Sequence, residues 1–169
     1  QRLEQYGVDD VADLPVNWAG ISQLRSEAHG NEMFDRHYGP LFAAMAAQDR
    51  ALALASWLSP AVAIGGLSSR LAASDNASHT EFMQAAEAHR RLMQELLNSD
   101  LARNPDRGGV KYQAGEALWR SIPPFRFTYA ALDMGELLAR WLLPLLAGLA
   151  ASLALTVVAL RRLRTGSVK

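Results

Sequence analysis

Residues 141–160, WLLPLLAGLAASLALTVVAL, run for twenty positions without a charged side chain and are rich in Leu, Ala and Val. A helix of that length measures about 30 Å, the thickness of a bilayer's hydrocarbon core. A soluble helix this long normally keeps a polar face, and this stretch has none. The segment therefore reads as a transmembrane helix over residues 140–161. Trp141 stands at the place of an interfacial aromatic anchor, and Pro144 falls in the first turn, where a missing N–H does little harm. Arg161, Arg162 and Arg164 follow at once. A basic cluster beside a span marks its cytoplasmic side, so residues 162–169 are expected to be a cytoplasmic tail and residues 1–139 an extracytoplasmic, periplasmic domain. The chain opens on Gln1 with no apolar signal at its start. An exported segment needs one upstream, so the expectation is a C-terminal piece of a multi-pass membrane protein with at least one earlier span.

The formal charge is zero, with 17 basic and 17 acidic groups. Residues 1–160 hold only 13 of the basic groups and all 17 acids, and the tail supplies the remaining four positive charges. A chain of this balance lacks the basic excess of a nucleic-acid binder. There is no Cys, which removes thiol catalysis, Cys-ligated zinc and disulfides.

The rest of the pattern predicts a mainly α fold: a helical domain followed by the C-terminal transmembrane helix. Residues 1–30, with Asp9, Asp10, Asp13, Pro15 and Asn17, read as loop and short turns. Periodicity predicts helices near residues 31–58, 60–72, 79–97 and 130–160. Pro40 should kink the first or start a new one. Residues 51–69 form a second uncharged stretch, but Ser56, Ser59, Pro60, Gly65 and Gly66 dilute and divide it. As a span it would place the N-terminus in the cytoplasm, yet eight acids against four bases precede it. A helix ending near Leu58 and a break at Ser59 and Pro60 fit better, with the apolar surface packed in the domain or laid on the bilayer. Residues 74–77 read as a polar turn. Ser78 and Glu81 match a capping box, Asn98 can end the helix that follows, and residues 99–115 form a polar loop. On that helix Phe82, Leu92, Met93 and Leu96 are expected to be buried. Glu87 and Arg91 should form an i,i+4 pair on a solvated face. Pro123 and Pro124 enforce an extended chain over residues 119–129, where Phe125, Phe127 and Tyr129 alternate.

Chemistry-bearing patterns are scarce. There is no HExxH, no phosphate-binding Gly loop and no nucleophile elbow. The histidines at 29, 37, 79 and 89 are not spaced to share one helical turn, and His89 falls on the apolar stripe, where a satisfied core histidine is expected. No catalytic, cofactor-binding or metal-ligating residue is assigned.

Taken in order, several blocks carry a family likeness: YGV at 6–8, LPVNWAG at 14–20, FDRHYGPLF at 34–42, SPAVAIGGLSSRLAASDNASHTEF at 59–82, AAEAHRRLMQELLN at 85–98 and WRSIPPFRF at 119–127. This series resembles the C-terminal part of bacterial ABC-type transporter permeases of the exporter-like second class, in the subfamily with an extracytoplasmic domain of unknown function. Where that pattern has a Gly-Thr-Asp turn, this chain has Ala73-Ser74-Asp75. The resemblance implies a non-catalytic permease subunit in the bacterial inner membrane. Its partners would be a cytoplasmic ABC-type ATPase, a second permease copy or homologous permease, and the lipid bilayer. ATP hydrolysis would reside in the ATPase, and no cofactor is implied. A membrane-tethered sensor or interaction module is the alternative from another class, since it accounts equally for a helical domain on a single span.

Overall fold

The computed structural model describes residues 2–104 and 112–166. The expected loop around Gly108 and Gly109 and the final residues of the tail lie outside them. Among the described residues there are helices and no strand, so the fold is mainly α. The helices are α1 (Arg2–Tyr6), α2 (Trp18–Ala55), α3 (Pro60–Leu71), α4 (Asn76–Arg103), α5 (Glu116–Ser121), α6 (Met134–Leu137) and α7 (Leu143–Gly166), with a 3-10 turn at Val11–Asp13. A π-type turn, Leu138–Leu142, joins α6 to α7. The chain divides into two compact units, Gln1–Pro40 with Met83–Phe127 and Leu41–Phe82 with Thr128–Lys169.

In the first unit, α2 begins thirteen residues before the predicted start at 31. The loop expected over residues 1–30 is thus helical from Trp18 onward. Asn17 sets this start. Its Oδ1 accepts from the Ala19 N–H at 3.0 Å, which satisfies an orphan donor of the first turn. The Asn17 N–H donates to the Ala102 carbonyl at 3.0 Å, and the side-chain amide donates to the Asn104 carbonyl at 3.4 Å. That pairing explains why Asn98 does not end α4: the helix continues to Arg103, and its terminal carbonyls find donors there. Residues 99–103 of the predicted polar loop are therefore helical. Pro40 lies inside α2, which runs on past it to Ala55.

Phe125 and Phe127 stack with centroids 6.5 Å apart, the same-face pairing expected of alternate residues in an extended chain. His89 packs on Phe125 at 5.3 Å. Leu92 does not enter a core: it is 44% exposed, despite its place on the apolar stripe.

In the second unit, α2 stops at Ala55 and α3 starts at Pro60, the break predicted from Ser59 and Pro60. Pro60 occupies the first helical position, where its fixed φ is already helical and its missing N–H costs nothing. The end of α3 has the six-to-one and five-to-two bonds of a left-handed cap. The Ser74 N–H reaches the Ser69 carbonyl at 2.9 Å, the Ala73 N–H reaches Arg70 at 3.2 Å, and Ala73 takes φ +51°. Helix α4 then begins at Asn76, with the Asp75 carboxylate accepting from the Ser78 N–H at 3.1 Å. The cap is therefore Asp75 rather than Ser78, which is buried at the third helical position. Glu81 does not reach back to it, and instead accepts from the Ala130 N–H at 3.1 Å. Phe82 is 38% exposed and does not belong to a core.

Residues 119–121 belong to α5, and the chain leaves helix at Ile122, just before the two prolines. Helix resumes at Met134 rather than near 130, with Asp133 accepting from the Gly135 and Glu136 N–H groups. From there one helical run, Met134–Thr165, is long and apolar enough to cross a membrane, and 6% of its most apolar window is buried within the chain. The first part of this run packs on α3. Ala63 and Pro144 are fully buried, and a Cβ built on Gly148 would stand 2.8 Å from Pro60 Cγ.

Candidate functional site

A cleft of about 370 Å³ opens in the second unit, lined among others by Asp49, Gly66, Arg70, Asn76, Arg140 and Trp141. Its walls come from the end of α2, the middle of α3, the first turn of α4 and the helix leading into α7. Leu52, Val62 and Trp141 supply apolar lining. Trp141 is 8% exposed, and its ring lies where a Gly66 side chain would project: an added Cβ would meet Cζ3 at 2.0 Å. What Trp141 anchors inside the chain is thus the packing against α3.

Three carboxylates and two guanidinium groups face the cleft. Arg70 donates from Nη1 to Asp75 at 3.5 Å and to the Ser78 hydroxyl at 3.2 Å, which ties the end of α3 to the start of α4. Arg140 donates to Glu136 one turn earlier at 2.9 Å. Asp49 accepts the Asn76 side-chain amide at 2.9 Å. Among the described residues Asp49 has no cation against it, so the lining carries one negative charge in excess. The Nε of Arg140 is buried and has no hydrogen-bond partner among the described residues. Leaving a buried donor unpaired costs about 1–3 kcal/mol. The rest of the side chain is reachable, being 28% exposed, and its guanidinium carbon stands 5.7 Å from the Trp141 ring centroid.

The backbone under Arg140 is unusual too. Pro144 has no N–H, so the Arg140 carbonyl four residues earlier loses its helical donor. A π-type turn stands directly before the proline, and in it the Leu143 N–H bonds the Leu138 carbonyl. Ser56, fully buried, donates its hydroxyl to the Ala53 carbonyl at 2.7 Å, with the Arg140 carbonyl more distant at 3.4 Å. Because helix begins at Met134, Pro144 sits well inside the helical run and not in its first turn.

A second polar cluster lies in the first unit. Glu87 accepts from Arg90 Nε at 2.7 Å and from Arg91 Nε at 2.8 Å. Arg90 also holds Glu27 at 3.0 Å, and Arg91 holds both oxygens of Asp35, the nearer at 2.6 Å. The Arg91 guanidinium stands 5.6 Å from the Phe34 ring centroid. The Glu87 side chain is only 11% exposed, so the expected solvated face is an internal link between α2 and α4. The hydrogen bond from Arg90, reinforced by Arg91, holds the Glu87 carboxyl down to about 2. The bond from Arg91 lowers Asp35 as well. The signal for this link was present as Glu27, Asn31 and Asp35, which recur at four-residue steps on one face of α2. The cluster is saturated by its own members and has the character of a strut.

Arg161, Arg162 and Arg164 lie exposed in the last turns of α7. No group of three or more His, Asp or Glu with metal-binding geometry occurs among the described residues. No curated protein and no solved structure matches the chain. A family model does match it, over residues 1–128, which is most of its length. On that match the chain belongs to the family described as Domain of unknown function (DUF3526).

Proposed function

We propose that this chain is the C-terminal part of the permease subunit of an ABC-type transporter in the bacterial inner membrane, with no catalytic activity of its own. The observation that carries the membrane part is the bare apolar surface of α7. Leu146, Leu149, Leu153, Leu155 and Leu160 are each at least half exposed. So much uncovered Leu is stable against lipid or against other spans, and is a liability in water. The basic end of that helix supports placing it on the cytoplasmic face. The transporter part rests on the ordered likeness described above. Its support from geometry is local: Ala73 has the left-handed φ that favours Gly, the residue which the likeness has at that position.

In this reading a separate ATPase hydrolyses ATP, and the span and its neighbours carry the resulting movement. Residues preceding α6 would stand outside the cytoplasm. Purification of the full-length protein with its chromosomal neighbours tests the assignment. Co-purification of an ATP-hydrolysing subunit is expected. A full-length protein with one further span and no associated ATPase would favour a tethered sensor or interaction module instead. Orientation is tested separately with Ser99→Cys and Ser167→Cys. An impermeant thiol reagent applied outside intact cells should label the first and spare the second, and labelling of both would overturn the topology.

A further inference from the structure

The cleft of the second unit combines features that suit one class of ligand. Arg140 and Trp141, which line it, are the last charged residue before the twenty-residue uncharged stretch and the first residue of that stretch. If α7 spans the bilayer, the cleft therefore stands at the depth where hydrocarbon gives way to headgroups. Its lining combines apolar residues with charges of both signs. Arg70 makes its hydrogen bonds through Nη1. Arg140 has a buried Nε without a partner among the described residues, while Nη1 is taken by Glu136. The first turn of α4, with Asn76 and Ala77 on the cleft wall, adds the positive end of a helix dipole. These groups suit a phosphate. Asp49, the carboxylate without a cation, suits an ammonium.

We propose that the cleft binds the headgroup of an aminophospholipid, with the phosphate on Arg140 and Arg70, the amine on Asp49, and the glycerol end on Trp141 and Val62. The Arg140 side chain is 28% exposed, so the phosphate meets its guanidinium beside the Glu136 bond. This inference rests on the span assigned to α7 and not on the ABC transporter assignment. The co-purification of an ATPase can fail without touching it.

The test uses the full chain, extracted in mild detergent from vesicles of equal phosphatidylethanolamine, phosphatidylglycerol and phosphatidylcholine. Retained lipid is read by native mass spectrometry. Phosphatidylethanolamine should be retained over each of the others by about tenfold, the discrimination that one charge-assisted hydrogen bond supplies. Asp49→Asn should abolish the preference over phosphatidylcholine, whose quaternary amine cannot donate, while leaving helicity unchanged. Gly65→Leu supplies a second variant with every charge kept. A Cβ there meets nothing within 4 Å, so the helix tolerates it, and Gly65 lines the cleft that the larger side chain should fill. Loss of retained lipid in Gly65→Leu supports the site. Equal retention of the three lipids, or an Asp49→Asn profile identical to the parent, overturns it. Free phosphoethanolamine is the last arm. Failure to displace the lipid at millimolar level supports a membrane source, whereas displacement at lipid-equivalent concentration places the ligand in solution and overturns the lipid assignment.

Discussion

Replacing Gly20 by Ala and replacing Gly30 by Ala are the same chemical change in the same helix, and the structure sets their effects in opposite directions. An Ala in a helix interior is favoured over Gly by about 0.8–1 kcal/mol. At Gly30, exposed on α2, an added Cβ meets nothing within 4 Å, so that gain should appear undiminished. At Gly20 the same Cβ would stand 2.3 Å from the Ala102 nitrogen and 2.6 Å from its Cα. Both are backbone atoms of α4 and have no rotamer into which to retreat. Ordinary contact begins near 3.4 Å, so the start of α2 and the end of α4 must part by about 1 Å.

That movement pulls on the Asn17 N–H to Ala102 bond, now 3.0 Å, at a residue only 3% exposed. Overpacking costs about 1–3 kcal/mol and the stretched buried hydrogen bond about 1 more, against the propensity gain of about 1. The net expectation is a loss of about 2 kcal/mol for Gly20→Ala and a gain of about 1 for Gly30→Ala. Denaturant titration in mild detergent, followed by far-ultraviolet circular dichroism, measures both. A Gly20→Ala chain as stable as Gly30→Ala would refute the packing of Gly20 on α4.

Three further outcomes follow from the same geometry. Folding lowers the Glu87 pKa from 4.5 to about 2, so the native state holds fewer protons than the unfolded one. Its contribution of about 2 kcal/mol is complete above about pH 5 and is lost as pH falls through 4.5 toward 2, and Glu87→Gln should flatten that part of a stability–pH curve. Ala73→Gly should stabilise by about 0.5–1 kcal/mol, because φ +51° strains any residue with a Cβ, and a melting temperature that falls would contradict the cap. Ser56→Ala should cost about 1 kcal/mol, and adding Pro144→Ala, which restores an N–H near the Arg140 carbonyl, should recover part of that loss in a double-variant cycle.

What the amino-acid pattern made legible was local. Pro60 after Ser59 marks a helix start by backbone chemistry alone, and α3 begins there. Pro123 and Pro124 forbid regular helix, and the chain leaves helix at Ile122. The misses involve partners distant in sequence. Asn17 is a good cap in its own right, but three aspartates and Pro15 before it read as loop. The Ala102 carbonyl that steadies it comes from the far end of α4. Glu87 and Arg91 pair along their own helix as their four-residue spacing predicts. Only Glu27 and Asp35, more than fifty residues away, turn that face inward. Ser78 and Glu81 satisfy the capping pattern, yet Asp75 stands three residues earlier, where the left-handed turn at Ala73 delivers it. Two caps competed, and the end of the preceding helix decided between them.

Pro144 shows how one boundary changes the meaning of a residue. In the first turn of a helix it would be harmless, the place it holds when the span alone is counted from Trp141. The predicted helix from near residue 130 already runs into the span, and the helix does begin upstream of it, at Met134, where Asp133 caps it through the Gly135 and Glu136 N–H groups. Pro144 thereby falls in the interior, and a carbonyl at the edge of the apolar stretch is left without its donor. A buried carbonyl in that position needs a substitute. The π-type turn shifts the bonding register just before the proline, and the Ser56 hydroxyl lies 3.4 Å from that carbonyl. This accounts for Ser56 itself. In the sequence it only dilutes an apolar run, whereas in the fold it is fully buried, donates to the Ala53 carbonyl at 2.7 Å and lies 3.4 Å from the Arg140 carbonyl. The serine that argues against residues 51–69 as a span thus packs, in the fold, against the backbone one turn before the proline of the apolar helix.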